Sequence, residues 1–490
     1  ESQGNYSAVL FVPAPNKKQM TTFGLEVATS KYGKVYSELA ISNHDLNLFS
    51  DFDSEDDKGL ASKIGYEINA MPVDFLDGYK LSSSINFEYD SKHFNQIDRF
   101  RYIEYDRDWS FNPNIEGDKS SDNIFNVGSV LEKDLNNKLE YRLSKRKRGG
   151  VIDGSQHQFN LNQEMGSLKL KSGGYLLNNK KRQDESNWTR FNSELSLNQF
   201  FIVPGYKFEL DQNELKRSAS DSIVSSAMNY QSHQFFIQNE DSLRTKFRLE
   251  FTQRKDRQPV NGLMDDFTST KTTRLNVNTN IGESNHLDLT FTYRNLIFLN
   301  AFAENPNEQT VLARLNWSGF FLNKHVRSEM TYATSSSREI RREFVFIPVV
   351  TGEGTHTWRD LNSDGVQDIT EFFEAINFDE RNYIKLFVPT DDFISAFNNQ
   401  FNLNVSASMP KKWKSYGGIL RGLSKITNRT SVNINKKNTE DSFGSRFNPF
   451  ELNTEDNSLI YTKDAIRSTV FYNRSNWICN KKVDKRLSTF

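Results

Sequence analysis

The sequence predicts an all-β chain folded as a large antiparallel up-and-down β-barrel, and three observations predict it. Apolar and polar residues alternate with period two along most of the 490 residues. Short turns and long polar connections take turns between the segments so patterned. No stretch approaches the ~20 continuous apolar residues that a membrane-crossing helix needs.

Composition narrows the class. The apolar fraction is 36%, below that of an ordinary soluble core, yet aromatics reach 13%, with 39 Phe, and the net charge is only -1. A disordered chain has few aromatics and a large net charge, so the sequence builds something ordered. Strands that offer every second side chain to lipid and the rest to a polar lumen fit these proportions. The near-neutral balance argues against a nucleic-acid partner. Cys479 is the one cysteine, so no intrachain disulfide forms. Glu1-Ser2-Gln3-Gly4 shows no leader pattern, so either a leader has been removed or the chain is a piece of a longer protein.

The alternation supplies the strands. Leu243, Thr245, Phe247, Leu249 and Phe251 fall on one side, with Arg244, Lys246, Arg248, Glu250 and Thr252 on the other. Leu275, Val277, Thr279 and Ile281 alternate with Arg274, Asn276, Asn278 and Asn280, and Leu287, Leu289, Phe291 and Tyr293 follow after the turn 282–286. Phe401, Leu403, Val405, Ala407 and Met409 repeat the pattern. Each run has roughly the 9–12 residues that a tilted strand needs to cross a bilayer.

Short turns are expected near 29–34, 72–78, 134–137, 164–166, 200–205, 239–242, 282–286, 319–325 and 410–418. Longer loops are expected near 46–61, 91–123, 147–154, 178–186, 215–228, 255–270, 296–309, 335–398 and 436–457. The count comes to roughly 18–22 strands, short turns on one side and long loops on the other. Residues 1–478 are expected as one barrel domain, with 335–398 a loop insertion and 479–490 an irregular tail. Ser458–Tyr472 reads as a last strand without a partner, as in a truncated chain.

The sharpest motif lies in the longest loop, Asp360-Leu361-Asn362-Ser363-Asp364-Gly365-Val366-Gln367-Asp368-Ile369-Thr370-Glu371. A hard Ca²⁺ ion takes six to eight oxygens, and a Gly turn lets a short loop wrap it. Asp360, Asn362 and Asp364 would give side-chain oxygens, and Val366 its carbonyl. Asp368 would act through water, and Glu371 would bind with both oxygens. Gln367 replaces the usual aliphatic residue, and Gly352-Glu353-Gly354-Thr355 cannot form an entering helix, so the pattern suits an extracellular calcium loop rather than an EF-hand. An acidic solvated turn with no metal is the competing reading. The ion's role would be to stiffen the loop.

Other segments are less specific. Lys145-Arg146-Lys147-Arg148 reads as a solvated loop able to meet lipopolysaccharide phosphates. Lys411-Lys412-Trp413-Lys414 suits an interfacial turn. Within Arg99–Trp109, the acids Glu104, Asp106 and Asp108 and the bases Arg99, Arg101 and Arg107 are expected to form a lumenal ion-pair ladder. The seven His are not spaced for zinc, and no phosphate loop or nucleophile elbow occurs, so no catalytic residue is expected.

Ser37–Asn47, Arg99–Trp109, and Trp358–Glu371 running on to Thr390 together resemble a family of large, uncharacterised outer-membrane β-barrel and surface proteins of the Bacteroidetes. The resemblance implies location and architecture rather than a reaction. The expectation is a non-enzymatic barrel of the bacterial outer membrane serving surface structure, transport or export. Its partners would be outer-membrane lipid, lipopolysaccharide and other envelope proteins. The alternative is a secreted or surface-attached β-rich adhesion protein with calcium-stiffened loops.

Overall fold

The computed structural model describes residues 14–50, 52, 54–111, 120–199, 201–224, 226–239, 243–439, 442–450, 458–473 and 481–487. Cys479 and the tail ends lie outside them. The chain divides into two compact units. One comprises Glu1–Leu243, Arg248–Thr273 and Arg294–Glu308, and the other Arg244–Phe247, Arg274–Tyr293 and Gln309–Phe490. The expected 1–478 domain contributes to both.

The described residues hold 22 strands, all antiparallel in the pairings seen, and no helix is long and apolar enough to cross a membrane. In the first unit β1 (Lys17–Ala28), β2 (Gly33–Asp45), β3 (Lys58–Pro72), β4 (Lys80–Asp90), β5 (Asp122–Asp134) and β6 (Asn137–Arg148) pair in sequence order. β7 (Ile152–Met165), β8 (Leu168–Lys180), β9 (Asp184–Leu197), β10 (Ile202–Arg217) and β11 (Met228–Asn239) continue the order, and β11 pairs with β12 (Thr245–Val260). β13 (Leu263–Ile281) and β14 (Asn285–Phe298) follow along the chain. The meander is the up-and-down antiparallel order that alternation predicted.

Register decides which side chains share a face. Phe23 lies opposite Leu39, Ile41 opposite Leu60, Ile64 opposite Phe87, and Phe87 opposite Phe125. The same face continues through Leu139 opposite Leu161, Tyr206 opposite Phe235, and Phe235 opposite Phe251. Most of these residues are left uncovered: Phe23 is 61% exposed, Ile64 56% and Phe235 57%. The other face carries charge. Lys34 lies 3.3 Å from Glu26 and 3.5 Å from Glu67, Arg248 lies 2.5 Å from Glu250, and Arg254 lies 2.6 Å from Asp256. One face is therefore an apolar belt and the other is polar, reversing the soluble rule that apolar residues go inward.

In the second unit β15 (Glu308–Phe321) pairs with β16 (Val326–Pro348). β17 (His356–Trp358) and β18 (Phe372–Glu374) pair in the connection that leads to β19 (Tyr383–Ser408). β16 also pairs with β19 over most of their lengths, with a bulge at Ile340/Arg342. β20 (Ile426–Asn438), β21 (Leu459–Tyr472) and β22 (Lys481–Leu487) complete the order, with short helices α1 (Ile419–Leu423) and α2 (Phe443–Phe447) in the connections. α2 lies over the sheet, where Tyr332 Oη donates to Phe447 O at 2.7 Å and Thr334 Oγ1 to Arg446 O at 2.8 Å.

Several expectations change. The loops expected near 147–154, 178–186 and 255–270 are tight hairpins, because the strands run further than their apolar pattern. At Asn261-Gly262, with φ of 51° and 81°, the chain turns in two residues, a left-handed geometry that Asn and Gly tolerate best. The 335–398 loop shrinks to 349–382, since β16 and β19 extend on either side of it. The expected short turn 410–418 is a longer connection holding α1. Lys145–Arg148 is the end of β6 rather than a loop, and Arg146 is buried. The tail is not wholly irregular: β22 pairs with β21, so Ser458–Tyr472 has a partner. Ladder hydrogen bonds use backbone groups, so pairing does not require alternating side chains.

Candidate functional site

The first unit's polar face carries a cluster of charged and aromatic groups. Between β4 and β5 the chain does not simply loop outward: residues 91–111 form a strap that folds back onto that face. Gly59 makes the approach possible, since a Cβ there would stand 2.3 Å from the Phe94 backbone. Asn95 N donates to the fully buried Ser42 Oγ at 3.0 Å.

The strap's far end is an anchor. Arg107–Trp109 make one 3-10 turn, and Ser110 takes a left-handed φ of 53° that sends Trp109 and Phe111 into the sheet. They pack with Ile152, Tyr175, Leu177 and Trp188, and Trp109 is 1% exposed. Asn179 Nδ2 donates to Trp109 O at 2.8 Å, and Tyr175 Oη and Gln156 Nε2 both donate to Asp108 O. Every buried polar group named here is satisfied, which gives the anchor its specificity.

The ion pairs of Arg99–Trp109 differ from the expected internal ladder. Arg101 reaches Glu88 at 3.1 Å and Asp90 at 3.7 Å, both on β4. Asp106 meets Arg146 of β6 at 3.1 Å, and Asp108 meets Arg190 of β9 at 3.0 Å. Only Arg107 pairs within the segment, with Glu104 at 2.8 Å and Asp108 at 3.7 Å. The segment is a series of turns rather than a strand, so alternate residues do not share a face and its charges reach the sheet instead. Arg146 also holds Asp122 with a 2.6 Å contact and lies 4.8 Å from the Tyr105 ring centre. Burial pushes the Tyr102 phenol well up, helped by its 2.9 Å donation to Asp108. Burial also raises Tyr105, against the lowering pull of Arg146 and Arg101.

Under the strap is a cavity of about 700 Å³. Its floor includes Thr22, Gly24, Glu38, Ala40, Ala61 and Lys63, and its roof Phe94, Asp98, Phe100, Arg101, Tyr102 and Tyr105. Sequence reasoning missed it. The segment's density of paired charge and aromatics marks it as unusual, but the residues it faces come from strands far away in sequence.

The expected calcium loop lies in the second unit, at the tip of the β16–β19 hairpin. Asp360 Oδ2 accepts from Gly365 N at 2.9 Å, Asn362 Oδ1 from Asp364 N at 3.0 Å, and Asp364 Oδ1 from Val366 N at 2.7 Å. Gly365 has a φ of 72°. The Asp368 carbonyl accepts from Glu371 N at 3.0 Å. Glu371 is buried, and its carboxylate accepts from Trp358 Nε1 and Leu361 N, each at 3.0 Å. The structure thus brings Asp360, Asn362 and Asp364 round one turn and commits Glu371 to Trp358. Asp360 Oδ1 is buried without a hydrogen-bond partner. Among the described residues no group of three His, Cys, Asp or Glu is gathered tightly enough to hold a metal.

No protein-family model matches the chain, and no curated protein matches it. Among solved structures, it aligns with the siderophore receptor PirA from Pseudomonas aeruginosa at 8% identity and a TM-score of 0.33, over 97% of this chain and 71% of that one. The copper transporter OprC gives 8% and 0.30, over 97% and 68%. The outer membrane transporter YddB from Escherichia coli gives 8% and 0.29, over 97% and 68%.

Proposed function

We propose that the chain is a non-enzymatic β-barrel of a bacterial outer membrane, of the Bacteroidetes type, with a transport, export or surface-structure role. The observation that carries this reading is the belt of exposed apolar side chains on one face of β1–β12, set against a charged opposite face. Water would make such a belt costly, whereas hydrocarbon removes the cost, at about 25 cal/mol for each Å² covered. Outer-membrane lipid and lipopolysaccharide are the partners this surface suits. The purified chain is expected to need detergent and to migrate anomalously in SDS gels unless boiled. A compact monomer that stays soluble in plain buffer would contradict the proposal.

A structural Ca²⁺ at Asp360–Glu371 is a second part of the reading, favoured by the partnerless Asp360 Oδ1. Val366 O and Asp368 stand at the remaining ligand positions of the motif. Glu371 would have to give up its Trp358 contact to serve as a ligand. Calorimetric titration of the intact chain should show Ca²⁺ uptake that Asp360→Asn weakens, and a wild-type titration without heat would remove the ion from the account.

A further inference from the structure

We propose that the cavity under the strap binds a small organic cation, an amine or guanidinium compound. The proposal rests on the strap and its floor, not on which solvent meets the opposite face of the sheet.

The cavity's size falls in the range of small-molecule sites, roughly 300–1,000 Å³. Small floor residues, Thr22, Gly24, Ala40 and Ala61, leave the room. Charge decides the ligand's sign. The lining holds four carboxylates, Glu38, Glu88, Asp90 and Asp98, against two cations, Lys63 and Arg101. Both cations are committed: Lys63 lies 3.2 Å from Glu88, and Arg101 reaches Glu88 and Asp90. Among the described residues Glu38 and Asp98 have no ion-pair partner. A cleft lined by one surplus sign concentrates the opposite one.

Aromatic placement supplies the second argument. The Arg101 guanidinium lies 4.6 Å from the Phe100 ring centre and 4.5 Å from that of Tyr105. The roof therefore already stacks one cation of the protein's own, by the attraction that ring faces exert on cations. A ligand amine in the remaining space meets the same rings, with Glu38 below and Asp98 above. An anionic ligand would find no uncommitted cation in the lining.

The test is calorimetric titration of the intact chain in a neutral maltoside detergent with spermidine, and in parallel with citrate and sucrose. Saturable spermidine binding is expected, with neither citrate nor sucrose taken up. Glu38→Gln with Asp98→Asn should weaken it roughly tenfold or more, as loss of two charge-assisted contacts demands. Gly59→Val, which displaces the strap at Phe94, should abolish binding while anomalous gel migration is kept. Unsaturable spermidine uptake, equal uptake of citrate, or an affinity unchanged in the double carboxamide variant would each overturn the proposal.

Discussion

Trp109→Ala is the perturbation that the strap's architecture makes most informative. The side chain is 1% exposed and sits among Phe111, Ile152, Tyr175, Leu177 and Trp188. An aromatic of this size buries on the order of 150–250 Å². At about 25 cal/mol per Å² that corresponds to roughly 4–6 kcal/mol, an upper bound because the released strap stays partly covered. Measured Trp→Ala changes of about 3–5 kcal/mol agree. The strap is held to strands that pair among themselves, so the loss should open it locally rather than unfold the sheet. At 1.4 kcal/mol per decade, the opening constant should rise by roughly two to four decades. Hydrogen exchange of residues 94–111 in detergent reads this directly, with β7 and β8 amides as internal controls. Ile103→Ala, at a position 77% exposed, should change exchange by less than about 0.5 kcal/mol. Strap protection surviving Trp109→Ala would refute the claim that the aromatic anchor holds it.

Two further outcomes follow from the same geometry. Arg146→Ala leaves the buried Asp122 beside Asp106 with only Arg148, at 3.9 Å, so the cost should stay below the roughly 3–5 kcal/mol of a wholly unpaired buried charge, and adding Asp122→Ala should recover much of it in thermal unfolding. Tyr102 and Tyr105 are both raised in the folded chain, so their contribution is complete below the ordinary phenol value of ~10 and is lost as pH climbs through the folded values. A spin label at the exposed Ile103 should therefore gain mobility above about pH 10, and mobility unchanged to pH 12 would contradict the assignment.

Local pattern made the strands legible, and tertiary contacts supplied what it missed. Alternation at Leu249 and Phe251, and turn residues such as Gly282, are written into neighbouring positions, and the strands and turns follow them. β16 and β19 outrun their apolar pattern because two strands that pair with each other can continue on backbone bonds alone, as Ser335–Ser337 opposite Ala396–Asn398 show. Lys145–Arg148 looked solvated because the carboxylates that bury Arg146, Asp106 and Asp122, lie 40 and 24 residues away. The strap's ion pairs escape the sequence for the same reason: Glu88 and Arg190 cannot be read from within Arg99–Trp109. The spacing of Asp360, Asn362, Asp364 and Glu371 is legible in the sequence, but the Trp358 claim on Glu371 depends on how β17 and β18 bring the two together.

Insertion in an outer membrane requires the face that carries Phe23, Ile64, Phe87 and Phe235 to meet lipid. Spin labels placed one at a time at Ile64, Tyr66, Glu67 and along β4 at Ile85, Asn86 and Phe87, in a Cys479→Ser background in reconstituted bilayers, measure this directly. Accessibility to oxygen, which concentrates in lipid, should peak at Ile64, Tyr66, Ile85 and Phe87. Accessibility to a water-soluble nickel chelate should peak at Glu67 and Asn86. Two quenchers rising and falling together, or no period of two, would contradict the account.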